Sequence, residues 1–369
     1  MRKSIYLLFF YFLSFSANSQ ILSDAATKQL LVQGLEKLYN NQFSESAAIF
    51  SKVKAKYANH PANHLLAAMQ LQMQYPTFES DSKLKARYVT HLQDCIATAM
   101  PQLNVPALAS EAKFFLLSAH GYLALAHNYE KEALKAANEA RKAYGFLKDG
   151  FELKEANPEF YFTTGLYNFY MIQYPITHPA IKPVMVFFSG GDKKLGLQQL
   201  DICVKNAVFT RTEATFYLIN VLIKYENSPA RALNYSKILH EKYPNNTNFS
   251  MRHTEALVLL GKFEEATPLI QNLRKNTNRV YQIAANTFDG LTQEKDVKDD
   301  KKAAAFYNAA LALPFDERYT VNYHAMAYAG LARIAIRAKN VKLARQYYIK
   351  CNNIAEYEAL RAEARAFLK

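Results

Sequence analysis

The sequence predicts an all-α protein, an α-solenoid of about eight helical hairpins with an aromatic, proline-punctuated insertion in the fourth. Three observations carry this prediction. Between residues 216 and 273 the chain repeats at a spacing of 34 residues: Ala232, Ser236 and Leu239 recur as Ala266, Ile270 and Leu273, and Asn220 and Ile223 recur as Thr254 and Leu257. A small residue, a larger one four on and an apolar one three further on lie along one helix face. Glycine (11) and proline (12) are too scarce in 369 residues for a fold of many tight turns. Hydrophobic residues make up 50%, enough for a continuous core, and a repeat array lengthens by adding units rather than domains.

The first hairpin spans Thr27–Tyr57, with Gly34 in its first helix and Ser46, Phe50 and Val53 lining the second. Gly34 and Ser46 are small where the two helices cross closely, and a bulky side chain there would overpack by about 1–3 kcal/mol. The second hairpin, near Ala62–Met100, rests on periodicity alone. In the third, Gly121 takes the small position of the first helix, and Ala133, Ala137 and Ala140 are expected to face the core from the second. The fourth begins after Pro158 with a helix over Phe160–Tyr174 and Gly165 at its small position. Pro175, Pro179 and Pro183 then interrupt helix, and its second helix starts near Asp192 with a Gly196, Leu200, Cys203 face. The fifth and sixth are the 34-residue pair. The seventh has a helix over Arg279–Thr292, a charged turn at Glu294–Lys302 and a second helix bearing Ala303, Tyr307 and Ala310. The eighth runs from Tyr319 with Ala332, Ala344, Tyr348 and Cys351, and residues 356–369 form a charged helix that covers the open end.

The 34-residue period with this small–large–apolar pattern resembles the tetratricopeptide repeat (TPR) family, although the usual tryptophan of the first helix is missing, as no tryptophan occurs in the chain. Over residues 175–200, Phe188-Ser189-Gly190-Gly191-Asp192-Lys193 followed by Gly196-Leu197 is similar to the central signature of the eukaryotic inclusion-body clearance family of TPR-like proteins. That resemblance implies a binding role rather than catalysis.

Residues 1–19 have the organisation of a signal peptide: basic Arg2 and Lys3, an apolar run from Ile5 to Phe15, and Ala17-Asn18-Ser19 before the expected cut at Gln20. The alternative is an uncleaved anchor, for which the run is short. Cleavage removes two basic and no acidic residues, so the net charge falls from +13 to +11. The basic residues are dispersed over helix faces. Export and the lack of a stacking or groove-reading module argue against nucleic acid, while peripheral association with an anionic envelope surface is physically allowed. Cys95, Cys203 and Cys351 are few, odd in number and far apart, which favours buried free thiols over a disulfide framework.

Chemistry-bearing patterns are sparse. His60 and His64, and His91 and Cys95, each stand four apart, but neither pair has further ligands nearby in sequence. No nucleophile elbow is present. Residues 189–194 could offer backbone N–H groups to an anion, yet Asp192 at the helix start is placed to take those donors itself. No cofactor is expected. What remains is aromatic and basic. If first helices line a concave groove, as the TPR resemblance implies, Tyr39, Tyr170 and Tyr225 share one groove position and Phe162 and Tyr217 another, with Lys224, Arg333 and Arg337 on the same side. Tyrosine and arginine dominate binding hot spots.

The expected function is an exported, non-enzymatic scaffold that holds a protein or peptide partner in this groove. The alternative is an envelope protein that captures an oligomeric nutrient such as a glycan. The inserted loop, residues 175–191, is long for a hairpin connection and stiffened by proline. It either folds back over the solenoid or presents Val186, Phe187 and Phe188 as a contact site. N-terminal mass analysis of the exported protein should find Gln20 as the first residue; retention of residues 1–19 would favour the anchor.

Overall fold

The computed structural model describes residues 20–75, 81–177, 179, 182 and 190–369. Over these the protein is entirely helical, with eight consecutive hairpins and a terminal helix. The hairpins are α1 (Ala25–Tyr39) and α2 (Phe43–Lys56); α3 (Pro61–Gln74) and α4 (Ser82–Ala99); α5 (Pro106–Tyr129) and α6 (Ala133–Leu153); α7 (Phe160–Thr177) and α8 (Lys193–Asn206). They continue as α9 (Arg211–Lys224) and α10 (Pro229–Lys242); α11 (Thr247–Leu259) and α12 (Phe263–Arg274); α13 (Arg279–Thr292) and α14 (Asp300–Ala312); and α15 (Val321–Arg337) and α16 (Val341–Ile354), closed by α17 (Glu358–Leu368). Each helix packs on the next, as in a solenoid. No described helix is long and apolar enough to cross a membrane.

The repeat residues do what their spacing requires. Ala232, Ser236 and Leu239 are buried, as are Ala266, Ile270 and Leu273. The Ser46 hydroxyl donates to the Gly34 carbonyl at 2.9 Å, and a Cβ on Gly34 would fall 2.3 Å from the Phe50 ring. Gly165 and Gly196 bring α7 and α8 together until a Cβ on Gly196 would stand 2.7 Å from the Gly165 carbonyl oxygen. In the seventh and eighth hairpins the buried ring of Tyr307 lies between Gly290 and Gly330.

Three local expectations are corrected. Ala133, Ala137 and Ala140 face solvent, and α6 instead buries Ala143 and Gly150. Alanine tolerates either environment, so an alanine triad fixes a helical period but not its phase. Phe146, Leu147 and Leu153 pack against the core on the same face as Ala143 and Gly150, and the Glu139 carboxylate meets His120 Nδ1 at 2.6 Å. Helix α7 continues to Thr177 through Pro175; in the last turn proline removes one helical hydrogen bond rather than breaking an interior. The charged turn of the seventh hairpin is itself helical, a single π turn over Gln293–Val297. Val186, Phe187 and Phe188 lie outside the described residues. On the near side of that segment, Asp192 caps α8 by accepting from the Leu195 N–H at 3.0 Å. Gly191 crosses α7 so closely that a Cβ would stand 2.5 Å from the Asn168 carbonyl oxygen.

The solenoid closes on itself. The Asn246 side chain donates to the Tyr39 carbonyl at 2.8 Å, the Asn245 N–H to the Asn40 side chain at 2.9 Å, and Lys242 pairs with Glu36 at 2.6 Å. Further along, the Tyr122 hydroxyl reaches Glu213 at 2.7 Å, and the Arg318 guanidinium stacks 3.7 Å from the Tyr129 ring centre. The first hairpin thus touches the fifth and sixth, and the third touches the loop before the eighth. Gly330→Ala should test the tightest helix crossing: its Cβ would meet Tyr307 at 2.2 Å, and a loss of about 1–3 kcal/mol is expected in denaturant unfolding. Wild-type stability would mean that α14 and α15 can slide apart.

Candidate functional site

Closure of the solenoid divides its inner surface into two adjoining chambers. Among residues on helices, the first is lined by α1, α3, α5, α7, α9 and α11 and the second by α7, α9, α11, α13 and α15, in every case the first helix of a hairpin. The first chamber, of about 490 Å³, is largely apolar, with Met69, Leu117, Phe162 and Phe216 among its walls. The second, of about 790 Å³, carries Lys224, Arg252, Arg279 and Arg318 together with Asp316 and Glu356. Phe216, Tyr217 and Asn248 belong to both and form the wall between them.

Five of the eight groove residues expected from the sequence line these chambers. Tyr39 lies in the first, 5% exposed, its ring 6.0 Å from Tyr243 and 6.3 Å from Phe249. Phe162 meets Tyr217 edge-on at 5.4 Å. Tyr170 and Lys224 line the second chamber, and Lys224 pairs with Glu356 at 2.8 Å. Burial pushes the Tyr217 hydroxyl up to about 12 and raises that of Tyr170 further.

Tyr225, Arg333 and Arg337 line neither chamber. Tyr225 packs edge-to-face against Tyr170 at 6.0 Å, under the Lys224 ammonium. Arg333 and Arg337 belong to an ion network at the end of the solenoid. Glu294, on the π turn, accepts from Arg333 Nη2 at 2.7 Å, Arg337 Nη2 at 3.2 Å and the Tyr307 hydroxyl at 2.7 Å. Arg333 also reaches Glu363 at 2.9 Å on α17, and Arg337 reaches Asp300 at 2.6 Å. The helical period puts both arginines on the groove side, but the charged turn of the seventh hairpin and α17 supply their partners instead.

The sequence reading missed Glu213, Arg252 and Glu255. Arg252 pairs with fully buried Glu255 at 2.7 Å and stands 5.9 Å from the Phe216 ring; Glu255 also accepts from the Tyr357 hydroxyl at 2.5 Å. This cluster ties α11 to the segment before α17. Glu213 lines the first chamber. Burial raises its carboxyl above the ordinary carboxylate range, against the hydrogen bond from Tyr122 and the nearby Tyr39 hydroxyl, and the charge of Glu159 adds to the rise. An isolated glutamate in a helix first turn is so common that no local pattern marks it.

The residues that could hold a metal are His64, His91 and Asp94, whose ligand atoms lie within 4.8 Å of one another on α3 and α4. His64 on α3 stands 3.8 Å from Asp94 on α4, rather than joining His60, its neighbour four residues back. Burial lowers the basicity of both imidazoles, and Lys54 acts in the same direction. Burial pushes the Cys95 and Cys351 thiols up to about 12, away from the range of a nucleophile.

The fold and chambers define an all-α solenoid with an internal groove. No protein-family model matches the chain, and no curated protein matches it.

The Glu294 network sets a pH and mutational prediction. Burial penalises its charge, but the guanidiniums of Arg333 and Arg337 outweigh this and hold its carboxyl below the usual 4.5. A folded value below the unfolded one stabilises fully above about 4.5 and is lost as pH falls through the folded value. Arg333→Met, which leaves Glu294 buried with a weakened partner set, should cost about 3–5 kcal/mol at neutral pH. That cost should shrink on acidification. The exposed Arg337, replaced by alanine, should cost less than about 1 kcal/mol. Denaturant melts across pH check both, and equal costs would mean that the network is not carried by Arg333.

Proposed function

We propose that the protein is a non-enzymatic binding scaffold of the TPR type, exported by its N-terminal segment, that holds a segment of a protein partner within its inner groove. The observation that carries this reading is the division of labour among helices. First helices alone among the helices line both chambers, and they place Tyr170, Tyr217 and Lys224 along one continuous surface. Chambers of this size suit side chains and short segments rather than a flat protein face. The chemistry differs along the groove, from an apolar chamber to one rich in arginine and lysine. A chain of amino acids supplies both kinds of group at fixed spacing, whereas a repetitive polymer supplies one.

A second reading, capture of an oligosaccharide, draws on the second chamber. There Asn220, Asn248, Asn278 and Asn322 stand among tyrosines, and amides beside aromatic rings suit sugar hydroxyls and ring faces.

The deciding experiment is capture by the mature protein. Tyr217, 37% exposed on the shared wall, is replaced by serine together with Lys224→Ser. A discrete protein retained from the cell-envelope fraction by the wild type should be lost by the variant, with stability changed by less than about 2 kcal/mol. Binding of soluble oligosaccharides instead, with no protein retained, would favour the second reading. Unchanged capture would place the binding surface outside the groove.

A further inference from the structure

Resting on the reading of the groove as a binding surface, we propose that the first chamber is an amine site. It takes an apolar body with a cationic head, and the head pairs with Glu213.

The glutamates that face the interior differ in what holds them. Glu111 accepts from the Ile21 N–H at 3.0 Å and the Leu22 N–H at 3.2 Å, and faces His60 at 3.2 Å. Glu159 accepts from the N–H groups of Val208, Phe209 and Thr210 and from the Thr210 hydroxyl, all between 2.6 and 3.1 Å. Glu255 has Arg252 and Tyr357, and Glu294 has two guanidiniums and a phenol. Each of these charges is matched by several donors of the chain itself, as burial demands. Glu213, half-buried where it lines the chamber, is different. Its good hydrogen bond is the Tyr122 hydroxyl at 2.7 Å, and among the described residues no lysine, arginine or histidine is paired with it.

The surroundings of Glu213 add three observations. The Tyr39 hydroxyl faces the same carboxylate, on a side chain 5% exposed, yet has no partner at hydrogen-bonding distance and angle. Rings of Tyr39, Tyr122, Tyr129, Phe162, Phe216 and Tyr217 line the chamber, and aromatic faces attract a desolvated cation. Finally, Gly121 stands where a helix–helix contact was expected, but a Cβ there would meet nothing within 4 Å. Gly121 lines the chamber, so its missing side chain leaves ligand space. A carboxylate held by one close phenol, a second phenol facing it without hydrogen-bond geometry and an aromatic lining are together the complement of an ammonium or guanidinium on an apolar stem. The stem comes either from a lysine or arginine side chain of a bound segment or from a free amine.

The test is calorimetric titration of the mature full-length protein with three probes of one skeleton: 4-phenylbutylamine, 4-phenylbutanol and 4-phenylbutyrate. The wild type should bind the amine at least tenfold more tightly than the alcohol and reject the carboxylate. Glu213→Gln, melting as wild type, should bind amine and alcohol within threefold of each other. Gly121→Phe, which fills open space, should abolish binding of the amine and the alcohol alike. If Glu213→Gln melts early, Gly121→Phe and the wild-type selectivity decide alone. Equal affinity of wild type for amine and alcohol, or amine preference kept in Glu213→Gln, overturns the proposal. Competition of the amine by a peptide with a blocked N-terminus and one free lysine, but not by its norleucine counterpart, assigns the source to a side chain; no competition by either peptide assigns it to a free amine. Loss of envelope-protein capture in Tyr217→Ser/Lys224→Ser with no amine selectivity in the wild type would leave the scaffold reading standing and remove this one.

Discussion

Tyr39 and Asn246 are 207 residues apart, yet the amide of one donates to the backbone carbonyl of the other at 2.8 Å. Everything about the groove depends on this cross-turn contact and its neighbours, the Lys242–Glu36 pair and the Tyr39–Tyr243–Phe249 ring cluster. In an open solenoid each repeat touches only its neighbours, and stability is a sum of adjacent interfaces. Here the inner surface of the first hairpin meets the turn between the fifth and sixth. The contact turns what would be a continuous trough into chambers with floors and walls. It also adds long-range terms to the usual nearest-neighbour sum, so fraying of the first hairpin exposes aromatic surface from the middle of the chain.

The period of the repeats carries the fold because it concerns neighbours. Ala232, Ser236 and Leu239 must share a face at any helix geometry, and a 34-residue recurrence places the same face in the next unit. Gly34 and Ser46 are legible for the same reason: two helices of one hairpin cross at a fixed point. Phase is less secure where the periodic residues are alanines, as Ala133, Ala137 and Ala140 show. What no local pattern contains is the superhelical closure. It rests on side-chain amides of Asn40, Asn41 and Asn246, a residue type expected in any turn between helices. Tyr39, which its spacing offers as a groove residue, lines the first chamber as part of a buried seam.

The site shows the same division. Tyr170, Tyr217, Phe162 and Lys224 follow from helical phase within the first helices and line the chambers. Arg333 and Arg337, given the same groove side by their spacing, are instead paired with Glu294 on the π turn of the preceding hairpin. Phase gives direction; it does not say whether the space ahead is solvent or a partner. Glu213 is the converse case. Nothing in its neighbourhood sets it apart, and its significance comes from Tyr122, 91 residues away, and from the space beside Gly121.

The two helices of each hairpin are under different constraints, and this bears on how such a groove diversifies. Second helices carry the small-residue contacts: Ser46 against Gly34, Gly196 against Gly165, Tyr307 against Gly290 and Gly330. A change there is felt as overpacking or a cavity. First helices carry one face into those contacts and another into the chambers, where neighbouring atoms are sparse and a larger side chain displaces solvent or ligand rather than protein. Substitutions on that inner face therefore alter what the groove accepts at little cost in stability, except where cross-turn contacts run through it. Tyr39 and Tyr122 are such places, since each lines the first chamber and also ties distant hairpins together. Change of ligand in this architecture is then freest at Gly121, beside which a Cβ would meet nothing within 4 Å, more costly at Leu117 and Phe162, which line the chamber but are buried in the core, and most constrained around Glu213.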